Sequence, residues 1–244
     1  MDFLTTSQGR PPCCCVALPY QFITMQTQQT IAIIGATGNM GSALSKALAN
    51  GPYRLLLKAT KQEELQQLVT EIEREQKGAT VEGASCPTDA SWEADIIILA
   101  VPYEAEKEIA AKIREVANQK IVISIANPMN ETYDALVTDP GTSAAEELQK
   151  LLPHSKVVKA FNTTFAADFS SPVIDGKQVD AFIAGNDDEA VQTVSGLVQT
   201  AGFRPIIAGP LSVSRTLEAM QLLLIQLGMK YHYNWLAGWK ILHN

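Results

Sequence analysis

The sequence contains few of the residues that build metal centres, disulfide frameworks or thiol active sites. Its 244 residues include four cysteines and three histidines. Three of the cysteines are adjacent near the N-terminus and the fourth, Cys86, stands alone, a spacing that fits neither paired disulfides nor a metal motif. The three histidines are scattered along the chain. We therefore expect no metal site and no Cys/His catalytic pair.

Positive charge and long apolar runs are also scarce. The formal net charge is −7, whereas a nucleic-acid-binding surface needs clustered lysine and arginine. No apolar run approaches the roughly 18 residues that a membrane-spanning helix requires. With 46% hydrophobic and 18% charged residues, the composition is that of an ordinary globular protein. These features predict a cytoplasmic protein that binds small molecules, with no nucleic-acid partner and no membrane partner.

Residues 1–24 differ in character from the rest of the chain. They contain three prolines and no helical period, and Arg10 is their only basic residue. A secretory signal places basic residues before an unbroken apolar run, but here Asp2 comes early and Pro19 interrupts the run. Met25, just before the first predicted strand, is a candidate start of the functional chain. We interpret residues 1–24 as a flexible N-terminal extension.

The most informative segment is an apolar run that ends in a glycine-rich turn, IAIIGATGNMG at residues 31–41. The run suits a buried parallel strand, and the residues after the turn have helical character. A glycine turn between a strand and a helix brings backbone N–H groups and the positive end of the helix dipole to a phosphate. We interpret it as the pyrophosphate site of a dinucleotide; a tight turn that binds nothing is the alternative. The predicted contact residues are Gly35, Ala36, Thr37, Gly38, Asn39 and Met40.

Strand and helix patterns alternate along the chain, and this alternation predicts an α/β fold with a doubly wound, mainly parallel sheet of the Rossmann type. The predicted strands are 31–35, 54–58, 80–84, 95–101, 120–126, 156–161, 180–185 and 204–208. The predicted helices are 40–50, 61–77, 103–116, 143–152, one capped by Asn186, and one from Leu211 almost to the C-terminus. We expect an NADP-binding domain at 25–162 and a smaller C-terminal α/β domain at 163–244 that ends in helices and completes the cofactor cleft.

The end of the second predicted strand carries no acid that could bind the ribose hydroxyls of NAD. Lys58, Thr60 and Lys61 stand there instead, and ammonium and hydroxyl groups attract the 2′-phosphate of NADP. Thr60 and Glu63 also form a T-x-x-E capping box, which is an alternative role for the threonine. The lysines have the alternative of being solvated surface charges. This region therefore favours NADP.

Further candidate residues follow the other predicted strands, because open α/β sheets bind ligands at the carboxyl ends of their strands. Asn127 is a candidate to bond the nicotinamide carboxamide or to cap its loop. Phe161 is a candidate to pack on a ring system or to lie in the core. The residues assigned to this edge are Ala100, Val101, Pro102, Ala126, Asn127, Pro128, Ala160, Phe161 and Asn162.

Several segments resemble the NADPH-dependent oxidoreductases of coenzyme F420. The segments that show this resemblance are GATGNMG with ALSKALA, ILAVPYEA, VVKAFNTTFAADF at 157–169 and AGPLSVSRTLEAMQLLLIQL at 208–227. The likeness runs from about Ile31 to the C-terminus. The K-A-F-N form of Lys159 to Asn162 is also similar to the reductase domain of the STEAP metalloreductases, which use NADPH and a flavin.

Two positions depart from the F420 pattern. The F420 enzymes usually have Ser-Arg after the second strand, where this chain has Ala59, Thr60 and Lys61. Their histidine in the sixth-strand motif is Asn162 here, as in the STEAP form.

The resemblance implies an enzyme that transfers hydride between NADP(H) and a deazaflavin, coenzyme F420, or a flavin such as FMN or FAD. Such a reaction needs no catalytic acid or base, because the cofactors carry the chemistry. Leu211, Ser212 and Arg215 join the predicted cofactor contacts. Two roles are open for the Arg215 side chain: it binds an acidic group of the second cofactor, or it forms an ion pair with Glu218.

Other functions fit parts of the pattern. They are an NADP-binding regulatory protein without catalysis and a flavin-dependent ferric reductase. An imino-acid reductase is less suitable, because too few residues follow Phe161 to build its helical dimerisation domain. The apolar C-terminal helix, with Trp235, Trp239 and Ile241, indicates a homodimer surface or a helix buried within one subunit.

Overall fold

The computed structural model describes Met1 and residues 28–243. Apart from Met1, the predicted N-terminal extension therefore lies outside the described residues. No helix in the part described is long and apolar enough to cross a membrane.

Eight strands form one sheet in the order β10-β9-β6-β5-β4-β1-β2-β3, and two more form a small antiparallel hairpin. Six neighbouring strands, from β3 to β6 across the sheet, are parallel. The strands are β1 (Gln29–Ile34), β2 (Tyr53–Lys58), β3 (Thr80–Gly83), β4 (Ile96–Leu99), β5 (Ile121–Ser124), β6 (Lys156–Lys159), β7 (Val173–Ile174), β8 (Lys177–Gln178), β9 (Asp180–Gly185) and β10 (Arg204–Gly209). The predicted fold class is confirmed.

Helices cover both faces of the sheet, which explains why the central strands are apolar at consecutive positions rather than at alternate ones. One core cluster contains side chains of α1, α2 and α6, and a second contains side chains of α3, α4 and α5. The α-helices are α1 (Asn39–Leu48), α2 (Gln62–Glu75), α3 (Pro87–Glu93), α4 (Tyr103–Ile113), α5 (Ala144–Leu151), α6 (Asp188–Thr200) and α7 (Ser214–Tyr231).

The C-terminal part continues the same sheet in the opposite direction. β9 pairs with β6 antiparallel, through Val158↔Gly185 and Lys159↔Ala184, and β10 pairs with β9 parallel. Helix α7 follows, and the tail after it returns to β9 through a bridge between Asp180 and Trp239. The predicted boundary near residue 162 therefore coincides with a reversal of strand direction inside one sheet.

Two local predictions were wrong, and one helix was not predicted. Asn186 does not cap α6; Asp187 does, and Asn186 Oδ1 instead accepts a hydrogen bond from the backbone N–H of Leu211 at 2.9 Å. The last helix ends at Tyr231, because His232 adopts a left-handed conformation with φ +58°. The sequence pattern also missed α3, which is too short to show a helical period.

Candidate functional site at the carboxyl ends of the parallel strands

The predicted site residues that follow β1, β2, β4, β5 and β6 lie along one edge of the sheet, since these strands are parallel neighbours. The chain builds β2 and β3 on one side of β1 and then returns to place β4 on the other side. The gap between β1 and β4 is therefore a topological switch point, where doubly wound sheets bind ligands.

The glycine turn after β1 is held by both neighbouring strands. The backbone N–H groups of Gly35 and Ala36 donate to the carbonyl of Lys58 at 2.8 and 3.0 Å. On the other side, Ala100 N–H donates to the carbonyl of Ile34 at 2.8 Å. These bonds bring the turn, the end of β2 and the end of β4 together, as the sequence predicted.

Helix α1 begins in the turn with its first amides unpaired within the helix. Its first backbone hydrogen bond runs from Ser42 N–H to the Gly38 carbonyl at 2.8 Å, so the amides of Asn39, Met40 and Gly41 have no intrahelical acceptor. No side chain caps α1 and no acid lies in its first turn. By contrast α2, α4, α5 and α6 each carry two acids there. The positive end of α1 is therefore available to an anion.

The end of β2 presents Thr60 and Lys61 to solvent and Lys58 half-buried. The predicted alternative role of Thr60 is wrong, since the N-cap of α2 is Lys61 and no side chain caps that helix. Lys61 Nζ lies 2.6 Å from Glu64 Oε1, with both side chains exposed, and this hydrogen bond raises the pKa of Lys61. An exposed pair of this kind is weak and exchanges readily with another anion.

The end of β4 lies directly against the glycine turn. An ideal Cβ on Gly35 would fall 2.2 Å from the carbonyl oxygen of Ala100 and 2.9 Å from Val101 Cγ1. Val101 is half-buried and Pro102, which precedes α4, is exposed. The two residues therefore line the edge beside the turn.

The ends of β5 and β6 are joined by a reciprocal amide contact. Asn127 Nδ2 donates to the carbonyl of Asn162, and Asn162 Nδ2 donates to Asn127 Oδ1, both at 2.9 Å. Ala126, Pro128 and Ala160 around them are buried. Among the described residues, Asn162 Oδ1 is a buried acceptor without a hydrogen-bond partner. An orphaned acceptor of this kind marks a place where a donor from a ligand would be favourable.

Phe161 has its ring in the core and not at the edge. The ring is fully buried, and its centroid lies 6.0 Å from that of Phe169. Its backbone has φ +58°, which a bulky residue rarely adopts. Thr164 stabilises this conformation, since its Oγ1 donates to the Phe161 carbonyl at 2.9 Å. Of the two alternatives for this ring, the structure has the core aromatic.

The segment after β10 has structural partners of its own. Leu211 is buried in the core with side chains of α4 and α5, and Ser212 is exposed. Arg215 forms a bidentate pair with Glu146, at 2.8 and 2.6 Å, so the predicted pairing with Glu218 was wrong. Glu146 also bonds with Ser143, the N-cap of α5, whose Oγ accepts the Glu146 backbone N–H at 3.2 Å and donates to Glu146 Oε2 at 2.8 Å. Cofactor contacts by Leu211, Ser212 and Arg215 remain predictions.

Sequence reasoning missed a buried polar group next to this edge. Lys159 and Glu218 are fully buried and paired at 2.7 Å, and Lys159 Nζ also donates to the carbonyl of Ala126. Glu106 is buried nearby and accepts a hydrogen bond from Ser124 Oγ at 3.1 Å. Burial raises the pKa of Glu106 to about 7. A lysine inside the apolar run KVVKAF was the one available signal.

The fold and the turn together define a dinucleotide-binding α/β protein. Residues 30–128 match the family model described as NADP oxidoreductase, coenzyme F420-dependent. The chain is 34% identical over 212 residues to the F420-dependent NADP reductase of Methanocaldococcus jannaschii, across 82% of this chain and 93% of that relative. The chain therefore belongs to the family of F420-dependent NADP reductases, which are oxidoreductases.

Two other comparisons add a partial sequence match and a structural match. Metalloreductase STEAP3 of Rattus norvegicus is 31% identical over 131 residues, which is 54% of this chain and 26% of that protein. A protein from Arthrobacter sp. FB24 with a known crystal structure superposes with a TM-score of 0.76 at 23% identity, over 87% of this chain and 99% of that one. This structural likeness establishes the shared fold.

Proposed function

We propose that the protein transfers hydride between NADP(H) and coenzyme F420. The observation that carries the proposal is the uncapped, acid-free start of α1 at the switch point of the sheet, in a chain from this family. The family resemblance indicates coenzyme F420 as the second redox cofactor, and a flavin is the alternative to F420 at the same place.

The residues of the turn fit a pyrophosphate. The amides of Asn39, Met40 and Gly41 supply donors, and Gly38 leaves space above them because it has no side chain. The nearest atoms to an ideal Cβ on Gly38 are carbonyl oxygens at 3.4 and 4.0 Å. We propose that the phosphate lies against the predicted residues Gly35, Ala36, Thr37, Gly38, Asn39 and Met40. The donors are the amides of Asn39, Met40 and Gly41, since the N–H groups of Gly35 and Ala36 are already bonded to the Lys58 carbonyl.

The residues at the end of β2 fit a 2′-phosphate. Thr60 is released from helix capping, and Lys61 holds only an exposed carboxylate, so both are free to turn towards a phosphate. Lys58 carries the third candidate side chain at this corner. The absence of an acid there removes the repulsion that would select NAD.

The rest of the edge would hold the nicotinamide end. When bound, the two carriers supply the redox chemistry, in which a hydride leaves one ring and joins the other. The protein contributes distance, orientation and exclusion of water. We assign the floor beneath the ribose and nicotinamide to Val101 and Pro102, and the carboxamide contact to Asn127 and Asn162.

The second carrier has a candidate location beside the loop after β6. A cavity of about 180 Å³ lies there, where the apolar side chains of Phe165, Ile225, Met229 and Trp235 meet the polar side chains of His232 and Asn234. A planar redox ring could stack on the aromatic side chains of Phe165 and Trp235.

The direct test is to mix the purified protein with NADPH and F420, FMN or FAD in turn and to follow the absorbance of NADPH. The proposal expects rapid oxidation with F420. Oxidation only with a flavin and ferric iron would favour the ferric reductase, an alternative that the STEAP3 similarity and Asn162 support. Tight NADP⁺ binding in calorimetry with no oxidation in any mixture would favour the regulatory protein.

The proposal includes a homodimer in the cytoplasm. Leu223, Met229 and Trp235 of α7 and the tail are between 46% and 54% exposed, which leaves apolar surface for a second copy. Trp239, by contrast, is half-buried within the subunit. Sedimentation equilibrium gives the mass in solution, and a monomer at micromolar concentration would contradict this part of the proposal.

A further inference from the structure

The buried pair of Lys159 and Glu218 joins elements that are distant in the sequence. Lys159 is on β6, and Glu218 is on α7. Their side chains are both 0% exposed, and Lys159 Nζ to Glu218 Oε1 is 2.7 Å. Glu218 Oε2 accepts the backbone N–H of Ala144, the first residue of α5, at 3.2 Å. The pair therefore fixes α7 against both the sheet and the start of α5.

A requirement for stability alone does not explain this pair. Removing two charges from water is costly, and well-packed apolar residues of similar volume are often as stable as a buried ion pair or more so. The pair has a further bond that an apolar replacement would lack. Lys159 Nζ donates to the carbonyl of Ala126. This bond fixes the orientation of the peptide group that joins Ala126 to Asn127.

Asn127 transmits this orientation to the edge of the sheet. Its side chain exchanges hydrogen bonds with Asn162 at 2.9 Å in each direction. Asn162 Oδ1 is left buried without a partner among the described residues. A carboxamide N–H₂ on a ligand is a donor of the kind that this oxygen lacks.

We propose that Lys159 and Glu218 are positioning residues that hold the Asn127–Asn162 pair in register with a nicotinamide ring and couple that register to α7. The inference rests on the proposed function only in taking nicotinamide as the ligand of the amide pair. Neither Lys159 nor Glu218 contacts the ligand, and the Ala126 carbonyl carries their effect.

The test variant is Lys159→Met/Glu218→Gln. It removes both charges together, so no unpaired buried ion remains, and glutamine keeps an acceptor for Ala144. Lys156→Met is the matched control, because Lys156 is on the same strand and loses a partly exposed pair with Asp187 at 3.0 Å. Calorimetry measures NADP⁺ and 2′-phospho-ADP-ribose, which lacks nicotinamide, and thermal unfolding measures stability.

We expect the wild-type protein to bind NADP⁺ more tightly than the fragment. The double variant should lose about tenfold in NADP⁺ affinity, as expected for one buried hydrogen bond, and keep its affinity for the fragment. Its kcat with NADPH and F420 should fall by about tenfold to hundredfold, because the ring is misplaced. Lys156→Met should change neither the ratio of the NADP⁺ affinity to the fragment affinity nor kcat.

Equal losses for NADP⁺ and the fragment, or no loss of either, would overturn the inference. If the double variant does not fold, Glu218→Gln alone should show the same selective loss to a smaller extent, and an unchanged ratio there also overturns it. A wild-type protein that prefers NADP⁺ over the fragment yet never oxidises NADPH contradicts the proposed function, while the selective loss in the variant still supports the inference.

Discussion

The three glycines of the turn are required for different reasons. A Cβ on Gly35 would meet the Ala100 carbonyl oxygen at 2.2 Å, and one on Gly41 would meet the Gly35 carbonyl oxygen at 2.1 Å. Gly35 also has φ +91°. The fold itself therefore excludes side chains at both positions. Gly38 has ordinary space around its Cβ position, so a ligand explains that glycine better than packing does.

Gly38→Val should consequently separate binding from folding. The valine should cost about 1 kcal/mol of stability, since it is a poorer N-cap than glycine. Its side chain would occupy the phosphate space and lower NADP⁺ affinity by about hundredfold, equivalent to two charge-assisted hydrogen bonds. Calorimetry and urea unfolding measure the two effects. Gly196→Val, in α6 with no atom within 4 Å of its Cβ position, is the control. Unchanged affinity in Gly38→Val would remove the turn from the site.

Lys61→Glu tests the choice of dinucleotide. The new carboxylate would repel the 2′-phosphate, so NADP⁺ affinity should fall by about tenfold while NAD⁺ affinity stays the same. Lys77→Glu makes the same change of net charge at an exposed residue beyond the end of α2 and should leave both affinities unchanged. A parallel fall for both nucleotides would show that Lys61 does not recognise the 2′-phosphate.

At the scale of elements, α4 carries a carboxyl whose titration should appear in the stability of the protein. Burial raises the pKa of Glu106 to about 7 from its ordinary value of 4.5. The native state then holds a proton that the unfolded state releases, so the contribution is complete below the unfolded pKa and is lost as the pH rises through 7.

Glu106→Gln should abolish this dependence. The wild type should lose roughly 2–3 kcal/mol between pH 5 and pH 8, at about 1.4 kcal/mol for each pKa unit, and the variant should not. Urea unfolding across this pH range measures the difference. Glu104→Gln, exposed on the same helix, should follow the wild-type curve. A Glu106→Gln curve parallel to that of the wild type would show that Glu106 titrates normally.

At the scale of the whole molecule, Asp180 fastens the C-terminal tail to the sheet. This buried carboxylate accepts hydrogen bonds from Arg204 at 2.6 Å, from Lys240 at 3.0 Å and from the backbone N–H of Ile241 at 2.7 Å. Burial opposes ionisation of Asp180, but these bonds outweigh it and lower its pKa. The ion pairs therefore act above the ordinary pKa of an aspartate and weaken as the pH falls through the lowered value.

Asp180→Asn should destabilise the protein by about 2 kcal/mol at pH 7, less than a fully buried pair because both cations are partly exposed. The difference from the wild type should shrink as the pH falls below about 4. Urea unfolding at both pH values measures it. Asp175→Asn, whose side chain is 93% exposed and pairs loosely with Lys177, is the control. Equal stability of Asp180→Asn and wild type at pH 7 would contradict this role for Asp180.

The parallel half of the fold was predictable because its signals are local. Apolar runs such as IAII and DIIILAV need cover on both faces, and alternation with helices then predicts a parallel sheet. The glycine turn and the end of β2 were found in the same way, since each depends on a few adjacent residues.

The remainder depends on contacts between distant residues. The reversed pairing of β9 with β6 joins residues about 26 positions apart, and no local pattern encodes its direction. The pairings of Arg215 with Glu146 and of Lys159 with Glu218 likewise depend on where α7 packs. The sequence left the position of the Phe161 ring open. The backbone of Phe161 lies at the edge of the sheet after β6, whereas its ring packs in the core.

The short seam between β6 and β9 has a mechanical consequence. Only two residue pairs join these strands, whereas six join β1 and β2. Ladder hydrogen bonds hold neighbouring strands of a sheet together, and this seam has few of them. The β9–β10 strands and α7 therefore depend on side-chain contacts for their attachment to the six-stranded body. These contacts are the ion pairs Lys159–Glu218, Arg215–Glu146 and Lys156–Asp187 and the core that α6 shares with α1 and α2.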